Sequence, residues 1–215
     1  MTAMESDPHA GQPVLRRGAA PSDSRRAVIL MHGRGDSAEG ILGLAGELDV
    51  PGIMWLAPQA ASHTWYPLSF LAPLAQNEPG LTSALDVIGG LVELLGREGV
   101  APERIVLMGF SQGACLAQEF AARHAQRYAA VVGLSGGLIG PRGTPRNYQG
   151  SLVGTPVFLG CSDTDPHIPL DRVHESAGVF RAMSALVDER IYPRMGHTVN
   201  RDEIEAVKAI LELEP

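Results

Sequence analysis

Apolar residues along this chain follow two alternating patterns. Short continuous runs, Arg26–His32, Gly52–Ala57, Ile105–Met108, Ala129–Leu134, Pro156–Gly160 and Val187–Tyr192, read as strands. The unbroken apolar character of the first predicts burial on both faces. Pro13–Arg17 predicts a short edge strand ahead of them. Between the runs the spacing turns helical. Leu81, Leu85, Ile88, Val92 and Leu95 share one face of a helix over Leu81–Gly96. Further helices are predicted over Ala114–Ala125, over Leu170–Leu186 and, capped by Asn200 with Glu203, up to Leu213. Asp36, with Glu39 three residues on, predicts a capping box that opens a helix running to about Leu48. Gly40, Gly43 and Gly46 weaken that helix, and close packing against a neighbour is the simplest account of them.

Strand and helix alternate almost throughout, without an internal repeat. That order predicts an α/β fold: one mostly parallel sheet with helices on both faces. Ligands bind such sheets beyond the carboxyl ends of the strands, so the loops after each strand carry the chemistry. One segment breaks the alternation. Pro58–Gly80 is long, interrupted by Pro and rich in apolar residues (Trp65, Tyr66, Leu68, Phe70, Leu71, Leu74), which suits a lid or a binding wall better than a plain connection.

Composition narrows this further. At 215 residues, 45% of them apolar, the chain is sized for one globular domain, here residues 12–215. Residues 1–11 are polar, and a disordered leader without a secretory signal is expected there. A net charge of −7 argues against nucleic acid and against anionic membrane surfaces as partners. No apolar run approaches the ~20 residues of a membrane span, so no stable membrane insertion is expected. Cys115 and Cys161 are too few for a disulfide framework and read as free thiols of a cytoplasmic protein.

The candidate chemistry centres on Arg104–Gly113, RIVLMGFSQG. An apolar strand runs into Gly109-Phe110-Ser111-Gln112-Gly113 and then into an Ala-rich helix, the context a nucleophile elbow requires. Side chains at Gly109 and Gly113 would collide as strand and helix close on each other. Other strand-end loops supply His32-Gly33-Arg34-Gly35, the Cys161–His167 stretch with Asp163 and Asp165, and Gly196-His197. The chain order serine, aspartate, histidine matches that of α/β-hydrolases. A serine hydroxyl needs a histidine to take its proton, and a carboxylate to orient and stabilise that histidine. The backbone amides of Gln112 and Arg34 are the candidate oxyanion donors.

The other polar residues divide as follows. Both Asp163 and Asp165 are candidates for the acid, Asp163 alternatively supporting the turn. His32 shapes the oxyanion loop. His63 and His167 either rim the site or face solvent, and His9, His124 and His174 are expected at the surface. No HxH, HExxH or CxxC spacing suggests a metal, and no cofactor is expected. Cys161 reads as a small buried residue rather than a nucleophile. The Arg34 guanidinium either attracts an anionic substrate group or extends into solvent.

HGRGDS, APQAASHTWYP, GFSQG, the Asp165-Pro-x-Ile-Pro169 stretch and Gly196-His197 together resemble the phospholipase/carboxylesterase family of α/β-hydrolases, which includes the acyl-protein thioesterases. The resemblance spans roughly Arg25–Leu213. It implies a single-domain α/β-hydrolase fold and hydrolysis of carboxylic esters or thioesters without a metal. It also implies nucleophile Ser111, acid Asp165, base His197, oxyanion donor Arg34 and a substrate-facing aromatic wall at Trp65-Tyr66. Acyl-protein thioesterases carry an apolar residue where Arg34 stands, so the nearer resemblance is to bacterial small-ester hydrolases. The expectation is a serine carboxylesterase that hydrolyses small to medium esters through an acyl-enzyme, with a small-molecule ester as its partner and a homodimer as its assembly. Lysophospholipase or acyl-thioesterase activity, or a non-catalytic ligand-binding protein of the same fold, are the alternatives.

Overall fold

In the computed structural model, which describes residues 7–213, the apolar runs form one seven-stranded sheet. Its strands are β1 (Val14–Gly18), β2 (Arg26–Met31), β3 (Ile53–Pro58), β4 (Ile105–Phe110), β5 (Ala130–Leu134), β6 (Pro156–Ser162) and β7 (Leu186–Tyr192). Their spatial order is β1-β3-β2-β4-β5-β6-β7, with β1 the one antiparallel member, at the edge against β3. Every residue of β2 is buried, as its continuous apolar run predicts. The pleat sends Ala27, Ile29 and Met31 to one face and Val28 and Leu30 to the other.

Helices cover both faces. α1 (Ala38–Leu48) and α5 (Arg201–Glu212) lie over the Val28–Leu30 face, and α2 (Gly80–Arg97), α3 (Gln112–Arg123) and α4 (Leu170–Ala182) over the other. The helical spacing read in the sequence is the buried face of α2: Leu81, Leu85, Ile88 and Leu95 are all core residues. α5 opens with the predicted capping box between Asn200 and Glu203. β7 is only half-buried, and its edge carries the charged residues Asp188, Glu189 and Arg190, which discourage pairing with another chain.

Four expectations need correction. α1 is capped by Ser37, whose hydroxyl accepts the Gly40 amide at 3.0 Å, whereas the Asp36 carboxylate turns to the Ser37 amide at 2.7 Å. Glu39 is therefore not the reciprocal partner of a capping box, and it pairs with Arg17. A Cβ built at Gly43 or Gly46 meets no other atom within 4 Å, so these glycines do not mark close packing. α4 ends at Ala182 rather than at Leu186, because Ser184 takes a left-handed conformation (φ 65°) and turns the chain into β7. Finally, Asp7–Gly11 forms a hydrogen-bonded turn rather than a disordered tail, and His9, expected at the surface, is only 3% exposed. The leader expectation for residues 1–6 lies outside the described residues.

Candidate active site

Ser111 stands between β4 and α3 with φ 54° and ψ −116°. A non-glycine residue in such a conformation stores about 1–3 kcal/mol and needs its surroundings to hold it there. The flanking glycines permit this turn. A Cβ at Gly109 would come within 2.3 Å of the Gly113 backbone, and one at Gly113 within 2.1 Å of the Met31 carbonyl of β2. The elbow is thus wedged against the neighbouring strand as well as against its own helix.

The loop after β7 brings His197 to this serine. Ser111 Oγ lies 2.8 Å from His197 Nε2, and His197 Nδ1 lies 2.7 Å from Asp165 Oδ2. With Nδ1–H donating to the carboxylate, Nε2 is free to accept the serine proton. The loop after β6 orients Asp165, the candidate acid. Asp165 Oδ1 accepts the amides of His167 (2.8 Å) and Ile168 (3.0 Å). Burial pushes the Asp165 pKa up, but the hydrogen bonds from His197 and from these two amides outweigh it and hold the carboxyl below its ordinary range. Asp163 does the other job. Its Oδ1 accepts the Arg194 amide at 2.7 Å, while the Ser162 hydroxyl accepts that of Gly196 at 3.1 Å, tying the histidine loop to the end of β6. The His197 ring is packed between Phe110 and His167, with centroids 4.9 and 4.8 Å away.

The two candidate oxyanion residues lie on the same cleft as Ser111. The Arg34 loop runs beside the elbow: a Cβ built at Gly33 would lie in ordinary contact with Phe110 and 3.5 Å from the serine Cβ. Gln112 is the first residue of α3, so its amide has no intrahelical acceptor and points with the positive end of the helix dipole. Arg34 is exposed, in keeping with one of the two expectations for its side chain, and its guanidinium also donates to the carbonyls of Tyr66, Pro67 and Leu68. His32 shapes this loop as expected. Its Nδ1–H donates to the Gly33 carbonyl (2.7 Å) and its Nε2 accepts the Ala60 amide (3.1 Å), while burial lowers its pKa and keeps it neutral.

The cleft encloses about 640 Å³ and is walled by Tyr66, Leu68, Phe70, Phe110, Cys115 and Ile168, with His167 and His197 beside Ser111. Tyr66 belongs to this wall, as expected, but Trp65 does not. It is fully buried behind the wall, donating its indole N–H to the His32 carbonyl (2.9 Å), with its ring against those of His32 and His9. Leu68 and Phe70 belong to the segment read as a lid or binding wall, whereas Cys115 and Ile168 lay outside the sequence reading of the site. Both are small or apolar buried residues, and only long-range packing distinguishes them from core. His63 is exposed, bonded to the Asp36 carbonyl, and does not line the cleft. His124 and His174 are exposed, as expected. Burial pushes the thiols of Cys115 and Cys161 up to about 12, so both stay protonated. Among the described residues no cluster of three or more His, Cys, Asp or Glu is arranged to hold a metal ion, and no helix is long and apolar enough to cross a membrane.

Comparisons with known proteins converge on one family. A family model described as phospholipase/carboxylesterase matches residues 18–214. A phospholipase/carboxylesterase from Dyadobacter fermentans of known structure is 38% identical, superposes with a TM-score of 0.90, and the match covers 94% of this chain and 96% of that one. Acyl-protein thioesterase 1 of Saccharomyces cerevisiae is 25% identical over 92% of this chain and 96% of its own, and that of Gibberella zeae 27% identical over 89% and 92%.

Proposed function

The chain belongs to the phospholipase/carboxylesterase family and is a hydrolase with the α/β-hydrolase fold, and from that premise we propose that it is a serine carboxylesterase acting on small to medium uncharged esters through an acyl-enzyme. The observation that carries the reading is the unbroken relay Ser111 Oγ–His197 Nε2 (2.8 Å) and His197 Nδ1–Asp165 Oδ2 (2.7 Å) at one end of the apolar cleft.

Each step follows from those positions. Ser111 Oγ attacks the ester carbonyl as His197 Nε2 takes its proton, and the buried Asp165 carboxylate stabilises the imidazolium that forms. The amides of Arg34 and Gln112 donate to the oxygen that gains negative charge. One such donor contributes about 3–4 kcal/mol to the transition state. His197 then protonates the departing alcohol, leaving the acyl group on Ser111. Water attacks that acyl-enzyme with His197 again as base, releasing the acid and restoring the serine. Trp65 is out of substrate reach, so Tyr66, Leu68, Phe70 and Ile168 form the acyl-side wall, and an apolar wall suits an uncharged acyl chain. Two buried free thiols fit a reducing, cytoplasmic setting.

The test is a p-nitrophenyl ester series of increasing acyl length on wild type and Ser111→Ala. Ser111→Ala is expected to lose about 10³-fold or more in kcat. Equal rates for the two proteins would sink the proposal. The names of the two fungal relatives favour acyl-thioester hydrolysis as a second reading. A matched oxyester and thioester of one acyl group separates the two: preferential turnover of the thioester would move the assignment.

A further inference from the structure

The two residues proposed as oxyanion donors also use their side chains, and both direct them at the same short stretch. Arg34 Nη2 donates to the carbonyls of Tyr66 (2.8 Å) and Leu68 (2.6 Å), and Nη1 to that of Pro67 (2.9 Å). Gln112 meets the stretch from its other end. Its Nε2 donates to the same Tyr66 carbonyl (2.9 Å) and its Oε1 accepts the Trp65 amide (2.9 Å). Tyr66, Pro67 and Leu68 line the cleft. Among the described residues no carboxylate forms an ion pair with Arg34, so the partners of its guanidinium are three successive carbonyls.

The geometry points to a clamp: the side chains of Arg34 and Gln112 join the acyl-side wall Tyr66–Leu68 to the two oxyanion amides, so that wall and oxyanion hole move as one unit and Arg34 is a positioning residue for the reaction. This rests on the proposed Ser111 chemistry. The physical need is local. Arg34 lies between Gly33 and Gly35, the latter at φ +80°, and a glycine-flanked amide has little steric restraint of its own. A planar guanidinium reaches several acceptors in a fixed fork, which the single ammonium of lysine does not reproduce. The far end of the wall is held by the Leu68 amide on Asn77 Oδ1 (2.8 Å), and the Trp65 indole on the His32 carbonyl ties the segment once more to the loop that carries Arg34. An acyl group that presses on the wall therefore displaces the Arg34 amide, and acyl length is read in kcat as well as in KM.

Steady-state kinetics of wild type, Arg34→Lys, Arg34→Ala, Gln112→Ala and the double alanine variant test this. The substrates are p-nitrophenyl acetate, a longer uncharged p-nitrophenyl ester and an anionic hemisuccinate ester, with Tm recorded for each protein. Arg34→Ala is expected to lower kcat about tenfold or more even on the acetate, with KM changed less than about threefold, because the misplaced group is an amide that acts in the transition state. Arg34→Lys is expected to recover only part of that loss. The double variant is expected to lose about threefold less than the product of the single losses, because both side chains hold one carbonyl. The clamp is overturned by a kcat within about twofold of wild type on the acetate or by strictly multiplicative losses. It is equally overturned by a loss confined to the hemisuccinate, which would make the guanidinium a site for substrate charge. Should Arg34→Ala not fold, Arg34→Lys carries the same comparison in the same direction. Wild-type activity that survives Ser111→Ala overturns the clamp together with the triad, whereas Ser111-dependent activity with multiplicative variants overturns the clamp alone.

Discussion

At the scale of single residues, the site depends on one carboxylate kept charged out of water. Asp165 has a fully buried side chain, and two amides and an imidazole hold it below its ordinary pKa of 3.8. A depressed folded-state pKa means that its contribution to stability is present above the unfolded value and is lost as pH falls through the folded one. Asp165→Asn is therefore expected to melt with a shallower acid limb than wild type below about pH 5, visible in Tm against pH. The same variant is expected to lose about 10³–10⁴-fold in kcat at neutral pH, because a neutral amide neither fixes the histidine tautomer nor stabilises its cation.

At the scale of elements, the fit between elbow and sheet leaves no slack. Gly113→Ala would drive a methyl into the Met31 carbonyl, and a destabilisation of more than about 3 kcal/mol, or failure to fold, is expected in a chemical melt. α5 carries a second pressure point. Glu203 Oε2 accepts the Asn200 amide (2.8 Å), while its Oε1 is buried without a partner against Gly160. Burial lifts its pKa from 4.5 to about 7. The folded state thus holds this proton more tightly than the unfolded chain, a contribution complete below the unfolded pKa and lost as pH rises towards 7. Glu203→Gln, which keeps an acceptor for the cap, is expected to remove a pH-dependent loss of up to about 3 kcal/mol between pH 4.5 and 7, so its Tm stays flatter than that of wild type over that range. The central strands were legible because burial on both faces leaves β4, and β2 after Arg26, no polar position. The start of α1 was not, because Asp36 and Ser37 are equally good caps and only the folded backbone, which gives the Gly40 amide to Ser37 and the Ser37 amide to Asp36, separates them. The end of α4 was hidden for a similar reason: its left-handed stop is a serine, not a glycine.

At the scale of the molecule, the site is held together by contacts distant in sequence. That Ser111, Asp165 and His197 approach one another could be anticipated from the chain because each follows the carboxyl end of a strand. The buried position of Trp65, the three-carbonyl grip of Arg34 and the inward turn of His9 have no local pattern to announce them. The ring of His9 accepts the Ala61 amide (3.1 Å) and donates to the Trp65 carbonyl (2.8 Å), and Asp7 pairs with Ser83, so the N-terminal segment braces the aromatic loop from behind. Removing residues 1–11 is expected to cost about 2 kcal/mol, or roughly 4–8 °C in Tm, in a thermal melt. The most direct test of the chemistry is mass-spectrometric mapping of the folded protein after brief exposure to a fluorophosphonate. One phosphonate on Ser111, absent in Ser111→Ala and strongly slowed in His197→Ala, is the expected result. A folded wild type that stays unlabelled, or that is labelled at another residue with Ser111 free, would contradict the assignment of Ser111 as the nucleophile.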